Sequence, residues 1–130
     1  MQVGVKAAIQ NPEGKLLVML RSKEKYPEMP LRWDIPGGRI NPGSPLLENL
    51  SREVLEETGL KLQGEPVLVA AQDILRVPGR HVVRLTYSAN AEGKPVLSDE
   101  HTEHKWVTLA ELESLEGLDI YFKEILHLLG

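Results

Sequence analysis

The chain has 130 residues, of which 42% are hydrophobic and 26% are charged, with a formal net charge of −4 and no cysteine. These values predict one soluble globular domain over residues 1–130, and they exclude disulfides and thiolate metal sites. The negative charge argues against a stable nucleic-acid complex through a basic surface, but it leaves room for a small phosphorylated ligand.

No segment is long and apolar enough to predict a membrane span, and the first residues, Met1 to Lys6, lack the apolar run of a signal peptide. We therefore expect a cytoplasmic protein with no membrane partner, and the absence of cysteine fits a reducing compartment. The sequence leaves a homodimer open.

The first quarter of the chain predicts a β-hairpin. Two runs rich in Val, Ile and Leu, Val3–Ile9 and Leu16–Arg21, flank the turn-forming residues 11–14 (Asn-Pro-Glu-Gly). Ser22–Leu31 is polar and holds two prolines, which indicates a loop. Trp33–Pro36 is predicted to be a short extended segment, because a residue before proline disfavours helix.

A helix is predicted after a Gly/Pro-rich loop that follows this segment. Ser44 is a suitable N-cap, and Pro45 follows it at the first helical position, where its missing N–H is harmless. Gly59 fits the left-handed residue that commonly follows a helix C-terminus.

The predicted helix has two different faces. The residues expected to pack on the core are Leu47, Leu50, Val54 and Thr58. The opposite face carries Asn49, Arg52, Glu53, Glu56 and Glu57. The three glutamates stand at i, i+3 and i+4, so they repel one another unless a cation binds, and oxygen ligands suit Mg²⁺ or Mn²⁺. The alternative is an acidic surface helix with an internal Arg–Glu pair.

The second half of the chain predicts further strands. Pro66–Ile74 is one candidate, and a turn at residues 76–80 separates it from His81–Ala89, where Val83, Leu85 and Tyr87 alternate with polar residues. Ala91–Glu100 reads as a loop, and His104–Thr108 as a short last strand.

Two helices are predicted to end the chain. Thr108 can cap a helix over Leu109–Leu115, with Glu111 completing a capping box, and Asp119 can cap a helix over Tyr121–Leu129. The mixture of hairpins, helices and one long crossover predicts an α/β sandwich with a mixed sheet.

The stretch from Gly38 to Leu60 resembles the signature of the Nudix hydrolases. That signature is a Gly, five residues, a Glu, seven residues and then Arg-Glu-aliphatic-x-Glu-Glu-x-Gly-aliphatic. The matching residues are Gly38, Arg52, Glu53, Val54, Glu56, Glu57, Gly59 and Leu60. One position departs, because Ser44 stands where the family usually has its first Glu. This substitution puts full activity in question, although Ser44 could keep a capping role.

The resemblance implies an α/β/α sandwich with a mixed sheet and a hydrolase that requires one to three Mg²⁺ or Mn²⁺ ions. Substrates of the family are typically nucleoside diphosphate derivatives or nucleoside triphosphates, cleaved at a diphosphate linkage by activated water. By the same resemblance, the metal ligands are the Gly37 carbonyl and the carboxylates of Glu53, Glu56 and Glu57. Arg52 is implied to orient Glu53 through an ion pair.

The segment before Trp106 resembles the downstream part of several Nudix hydrolases, where a Glu-His pair precedes a Trp. By that resemblance Glu100 is the best candidate for a further carboxylate, which binds metal or activates water, and Glu103 is the next candidate. The alternative is a solvated loop with ordinary charges. An unperturbed His titrates near neutral pH, so His101 and His104 could act as acids or bases, but we expect each to be a surface residue, and Trp106 to be in the core.

Arginines and aromatic residues supply candidate substrate contacts. Arg39 follows the glycine pair, Gly37 and Gly38, and Arg32 precedes the Trp33 segment, so we expect both near the start of the predicted helix. Arg is well shaped to bind phosphate oxygens there. Further cationic candidates are Lys23, Lys25, Arg76 and Arg80. Candidates for base stacking are Tyr26, Trp33, Tyr87 and Phe122, with a core role at least as plausible for Trp33.

A rival function from another class is a non-catalytic nucleotide-binding module. Ser44 is the one sequence feature that favours it. The retained Arg52, Glu53, Glu56 and Glu57 count against it, because binding alone does not require the complete set of catalytic residues.

Overall fold

The structure is a computed structural model that describes residues 1–28 and 33–129. Arg32 and the end of the predicted 22–31 loop lie outside the described residues. The described elements, in chain order, are β1 (Gln2–Gln10), β2 (Leu16–Arg21), β3 (Trp33–Asp34), β4 (Gly37–Arg39), α1 (Leu46–Thr58), β5 (Gln63–Ile74), β6 (Val82–Asn90), β7 (His101–Val107), α2 (Leu109–Ser114), α3 (Ile120–Ile125) and a 3₁₀ helix (Leu126–Leu128).

The predicted hairpin is confirmed. β1 and β2 are antiparallel and meet at Gln10 and Leu16. The Asn11 side chain accepts hydrogen bonds from the backbone amides of Glu13 (3.1 Å) and Lys15 (2.9 Å), so it closes the turn.

The strands form one mixed sheet, as predicted. Its main order is β3-β2-β1-β6-β5, with β4 also paired to β1 and β7 also paired to β2. β1 and β6 run parallel, whereas the other strand pairs are antiparallel. Because β4 lies against β1, the glycine loop, Gly37 and Gly38, is held at the middle of the sheet.

Both faces of the sheet are covered, which confirms the α/β sandwich. Alternation along β2 sends Leu17 and Met19 to one face and Leu16 and Val18 to the other. The first face packs under α1, in a core of Val5, Ala7, Ile9, Leu17, Met19, Leu50, Val54, Leu60, Tyr87 and Ala91. The second face packs under α2 and α3, in a core of Ala8, Leu16, Val18, Ile35, Val107, Leu112, Leu118, Phe122, Ile125 and Leu126.

Helix α1 ends as predicted but begins differently. Gly59 adopts φ 70° and its amide bonds to the Leu55 carbonyl over 2.9 Å. The predicted N-cap role of Ser44 is wrong, since Pro45 holds the N-cap position and makes no side-chain capping bond. Ser44 belongs instead to the preceding turn, where its amide bonds to the Asn41 carbonyl over 3.0 Å.

The core-facing residue of the first turn also differs from the prediction. Leu46 packs against the α1 core, whereas Leu47 is exposed, so the prediction that Leu47 faces the core is wrong. Leu50, Val54 and Thr58 are buried as predicted.

The second half follows the predicted order with shifted ends. β5 begins three residues before Pro66, and β7 begins at His101 rather than His104. In β6 the apolar and polar residues alternate as predicted, but the polar residues are not on an exposed face. The sheet is covered on both faces, so Arg84 and Thr86 are buried as well as Tyr87. Trp106, expected in the core, is partly buried against it.

The terminal helices confirm both predicted caps. Thr108 and Glu111 form a reciprocal capping box with bonds of 3.0 and 3.1 Å, and Asp119 accepts from the Phe122 amide over 3.0 Å. The last predicted helix is divided into α3 and the 3₁₀ turn. Among the described residues, no helix combines the length and apolar character that crossing a membrane requires.

Candidate active site

The glycine pair lets the loop and α1 approach each other closely. A Cβ at Gly37 would lie 2.1 Å from the Val5 carbonyl oxygen, and a Cβ at Gly38 would lie 2.5 Å from Oε2 of Glu53. The Gly37 amide donates a 2.9 Å hydrogen bond to Oε1 of Glu57. The backbone of β1 therefore requires glycine at position 37, and glycine at position 38 leaves room for the carboxylate of Glu53.

Asn49 joins the loop to the helix. It is fully buried, and its contact with Arg52 places it on the side of α1 opposite the core-facing residues, as predicted. Its Oδ1 accepts from the Asn41 amide (3.0 Å) and from Arg52 (2.9 Å), and its Nδ2 donates to the carbonyls of Ser44 (3.0 Å) and Pro45 (2.9 Å). All the polar atoms of this amide are satisfied by the turn that precedes the helix.

Arg52 holds the outer glutamates of α1. Its Nη1 lies 3.0 Å from Oε1 of Glu53 and 3.4 Å from the carboxylate of Glu56. Glu53 is largely shielded, whereas Glu56 is exposed. The ion pair between Arg52 and Glu53 has the arrangement that the family resemblance implied.

Glu57 lies in a different environment from its neighbours on the helix. It is 8% exposed, and burial raises the pKa of its carboxyl from 4.5 to about 7. Lys6 and the Gly37 amide lower this pKa, while Glu53 and Glu100 raise it further. A cation at this position would remove the electrostatic cost of the buried charge.

A second carboxylate and a histidine meet Glu57. One ligand atom each of Glu57, Glu100 and His101 lies within 4.8 Å of the other two. His101 is only 9% exposed, so the expectation of a surface position is wrong. Burial, with Lys6 and Arg21 nearby, lowers its pKa to about 4, so its imidazole is neutral at pH 7.

A cavity of about 440 Å³ opens beside this group. Its volume lies within the range of small-ligand sites. Among the described residues, six cationic side chains line it, Lys6, Arg21, Arg39, Arg76, Arg80 and Arg84, together with the carboxylates of Glu57 and Asp119. Such a lining suits a ligand with several negative charges.

A buried carboxylate network fixes three of these cations. Asp34 is 1% exposed and pairs with Lys6 (3.1 Å), Arg84 (3.4 Å) and Arg21. Burial alone would raise the pKa of Asp34, but Lys6, Arg84 and Arg21 together hold it well below its usual value. Arg84 also contacts Asp119 over 2.9 Å, so Lys6, Arg21 and Arg84 are held in place by buried carboxylates.

The predicted phosphate-binding residues divide into two groups. Arg39, Arg76 and Arg80 line the cavity, and Arg39 also donates to the Gln2 side chain. By contrast, Lys25 is paired with Asp99 at the surface over 3.4 Å, and Lys23 is exposed outside the cavity lining.

Only Tyr26 of the four proposed base-stacking residues lines the cavity. Tyr87 and Phe122 belong to the two cores, and Trp33 packs against the second core. Tyr121, which the sequence did not single out, also lines the cavity, and Arg76 lies 5.8 Å from its ring centroid.

Several residues of the cavity were missed because they lie in strands. Lys6 is a single charge between Val5 and Ala7, and Arg84 is a single charge in β6. A charged residue inside an apolar strand is the signal that could have identified them, since such a residue is buried only with a partner.

Comparisons with known proteins identify the family to which the chain belongs. A family model described as the NUDIX domain matches residues 1–129. A Mycobacterium tuberculosis protein, provisionally named as 8-oxo-dGTP diphosphatase 2, is 29% identical over 76% of this chain and 70% of its own length.

Two crystal structures are similar over nearly the whole chain. A MutT protein from Methanosarcina mazei Go1 has a TM-score of 0.85 and 29% identity, with 98% of this chain and 91% of that chain covered. A MutT NUDIX hydrolase from Burkholderia pseudomallei has a TM-score of 0.82 and 28% identity, with 99% and 98% covered. The chain therefore belongs to the Nudix family of pyrophosphohydrolases, as the stretch from Gly38 to Leu60 predicted.

Proposed function

We propose that this protein is a metal-dependent hydrolase that cleaves the diphosphate linkage of a nucleoside diphosphate derivative or a nucleoside triphosphate. The observation that carries the proposal is the position of Glu57. Its buried carboxylate lies next to Glu100 and His101 and at the wall of a cavity lined by cationic side chains.

The donor atoms at this site fit a divalent cation. The proposed ligands are the Gly37 carbonyl and the carboxylates of Glu53, Glu56 and Glu57, with Glu100 as a further ligand or as the base. A buried carboxyl whose pKa is raised by burial gains most from a nearby cation. When bound, Mg²⁺ or Mn²⁺ would supply charge neutralisation and a more acidic water.

The residues of the chain itself have distinct proposed roles. Arg52 orients Glu53, and it must release Glu56 before that exposed carboxylate turns toward the site. Arg39 would contact phosphate oxygens from β4. Glu100 would accept a proton from the attacking water, because it is the carboxylate beside Glu57 that does not come from α1.

We propose that the base of the nucleotide lies against an aromatic residue of the cavity. A relative is named for 8-oxo-dGTP hydrolysis, and this compound therefore belongs in any substrate panel. Tyr26 and Tyr121 are the aromatic residues that line the cavity, so we propose that one of them contacts the base. We retain a cytoplasmic location and the absence of a stable nucleic-acid complex as proposals.

A non-catalytic nucleotide-binding module remains the second candidate, since Ser44 replaces the first Glu of the signature. The complete set of Arg52 and the three helix glutamates argues for catalysis. The two candidates differ in one observable, because a binding module would retain its nucleotide intact.

The decisive experiment is incubation of the full chain with nucleoside triphosphates, including 8-oxo-dGTP, and with nucleoside diphosphate sugars. Each reaction is run with Mg²⁺, with Mn²⁺ and with EDTA, and the products are separated by chromatography. We expect metal-dependent cleavage of at least one compound, and a Glu57→Gln variant as the matched negative control. Binding of a nucleotide without cleavage under all conditions would favour the binding module.

A further inference from the structure

His101 has a polar ring atom that its surroundings leave unused. The side chain is nine-tenths buried at the start of β7, and within residues 1–28 and 33–129 its Nδ1 has no hydrogen-bond partner. A buried polar atom without a partner is costly, and such atoms in native proteins usually indicate a missing ligand or water.

The same ring lies at the carboxylates of the proposed site. It lines the cavity, and one of its ligand atoms is within 4.8 Å of a carboxylate oxygen of both Glu57 and Glu100. Ligand atoms at about 2.1 Å from one ion are at most about 4.2 Å apart. Small side-chain rotations would therefore bring the three groups onto a common ion.

We propose that His101 donates an imidazole nitrogen to a divalent cation shared with Glu57 and Glu100, and that this position therefore prefers Mn²⁺ or another first-row transition metal ion to Mg²⁺. The inference rests on the proposed metal-dependent function and goes beyond it. The three carboxylates of α1 offer oxygen alone, and oxygen sites suit Mg²⁺, whereas imidazole favours transition metals.

The neighbouring charges permit a cation at this position. Lys6 and Arg21 are the cations whose charges act on His101, but both are paired with the buried carboxylate of Asp34. The two carboxylates of the group, Glu57 and Glu100, supply the negative charge that balances a divalent ion. The imidazole then adds a ligand without adding a third negative charge.

The test is pulsed electron paramagnetic resonance of the full chain loaded with Mn²⁺, which detects nitrogen nuclei coupled to the bound ion. One sample contains natural histidine and a second contains ¹⁵N-labelled histidine. We expect ¹⁴N modulation that changes to the ¹⁵N pattern on labelling. The signal should disappear in His101→Gln and persist in His104→Gln, a matched control on the same strand outside the cluster.

Calorimetric titration gives an independent readout. His101→Gln should weaken Mn²⁺ binding by at least about tenfold, the lower limit seen when even an outer partner of a ligand is lost. Mg²⁺ binding should change by less than about threefold, because Mg²⁺ relies on oxygen ligands and retained waters. His104→Gln should leave both affinities unchanged.

The outcomes separate this inference from the proposed function. Bound Mn²⁺ without histidine modulation in the wild-type protein overturns the role of His101 and leaves the carboxylate site intact. No binding of Mn²⁺ or Mg²⁺ at millimolar concentration overturns both. If His101→Gln does not fold, the labelled wild-type sample alone decides between these results.

Discussion

The Gly37 amide donates a 2.9 Å hydrogen bond to Oε1 of Glu57, which joins the glycine loop to the last turn of α1. The bond lies in a buried setting, so it fixes the carboxylate in one orientation. Glu57 also lines the cavity. The two halves of the Nudix signature, the glycine loop and the helix, therefore meet at the carboxylate of Glu57. Burial disfavours the negative charge of this carboxylate.

Glu57→Gln and Glu56→Gln should each lower turnover by at least about a hundredfold, because each removes a negative charge where a cation and the transition state gather. Steady-state kinetics on a verified substrate measures the effect, and circular dichroism should show an intact fold. Glu48→Gln is the control, since Glu48 is an exposed acid in the first turn of the same helix. Near-native turnover in both site variants would refute the assignment.

The metal-free protein should show an unusual pH profile of stability. The pKa of Glu57 is raised from 4.5 to about 7, and that of His101 is lowered from 6.5 to about 4. Between about pH 4.5 and 6.5, the folded state holds an extra proton on Glu57 and lacks one on His101, relative to the unfolded chain. The first effect lowers stability as pH rises and the second raises it, so the two contributions cancel.

Single variants should expose the two contributions. Glu57→Gln removes the contribution to stability that falls as pH rises. In EDTA, the free energy of unfolding of this variant minus that of wild type should therefore increase by about 3 kcal/mol from pH 4.5 to 7. His101→Gln removes the contribution that rises with pH, so the same difference should decrease by about 3 kcal/mol from pH 4 to 6.5 for this variant. Urea unfolding across this range measures both differences, and profiles parallel to wild type would show that neither pKa is displaced.

Much of the fold could be predicted because its local signals agree with its tertiary structure. The hairpin turn at Asn11, the capping box at Thr108 and the C-terminal Gly59 each satisfy nearby backbone groups, so a short sequence window contains the relevant physics. The pairing of β1 with β6 joins segments about 80 residues apart, and no local pattern specifies it. The family resemblance was needed to propose that topology.

The acidic residues of the candidate site were predictable where they belong to the signature or to the Glu-His segment before Trp106. Glu57 and Glu100 were named, and the structure brings them together. Lys6, Asp34 and Arg84 were missed, because their burial depends on mutual ion pairs across three strands. His101 was expected at the surface, since its burial follows from a β7 start three residues earlier than predicted.

The two glycines of the loop should respond differently to alanine. Gly38→Ala places a methyl group 2.5 Å from the flexible carboxylate of Glu53, so Glu53 shifts and turnover should fall by about ten- to a hundredfold with little loss of stability. Gly37→Ala places it 2.1 Å from the Val5 carbonyl, which is rigid backbone, and should cost roughly 3 kcal/mol of stability. Kinetics and urea unfolding separate the two effects. Equal loss of stability in both variants would contradict the distinction.

Asn49, rather than Ser44, should stabilise the start of α1. Ser44→Ala removes no capping bond and should cost less than about 0.5 kcal/mol. Asn49→Ala removes four hydrogen bonds in a buried setting and should cost about 3 kcal/mol. Chemical denaturation of both variants gives the comparison, and a larger cost for Ser44→Ala would restore the capping role.

Ser44→Glu restores the family pattern and should raise turnover by far less than about a hundredfold. A gain of a hundredfold or more would show that the natural protein is an impaired hydrolase.

Glu100 should affect turnover more than substrate affinity. Its carboxylate lies beside Glu57, in the turn immediately before β7, where it can act on the attacking water, so its loss is felt mainly in the transition state. Glu103 is exposed and lies outside the group with Glu57 and His101, which makes Glu103→Gln the matched control. We expect kcat to fall by at least about tenfold in Glu100→Gln, since general base catalysis contributes 10²–10⁴-fold, with KM nearly constant. Wild-type kcat across the pH range in both variants would remove the need for a base from this segment, and Glu53 would become the next candidate.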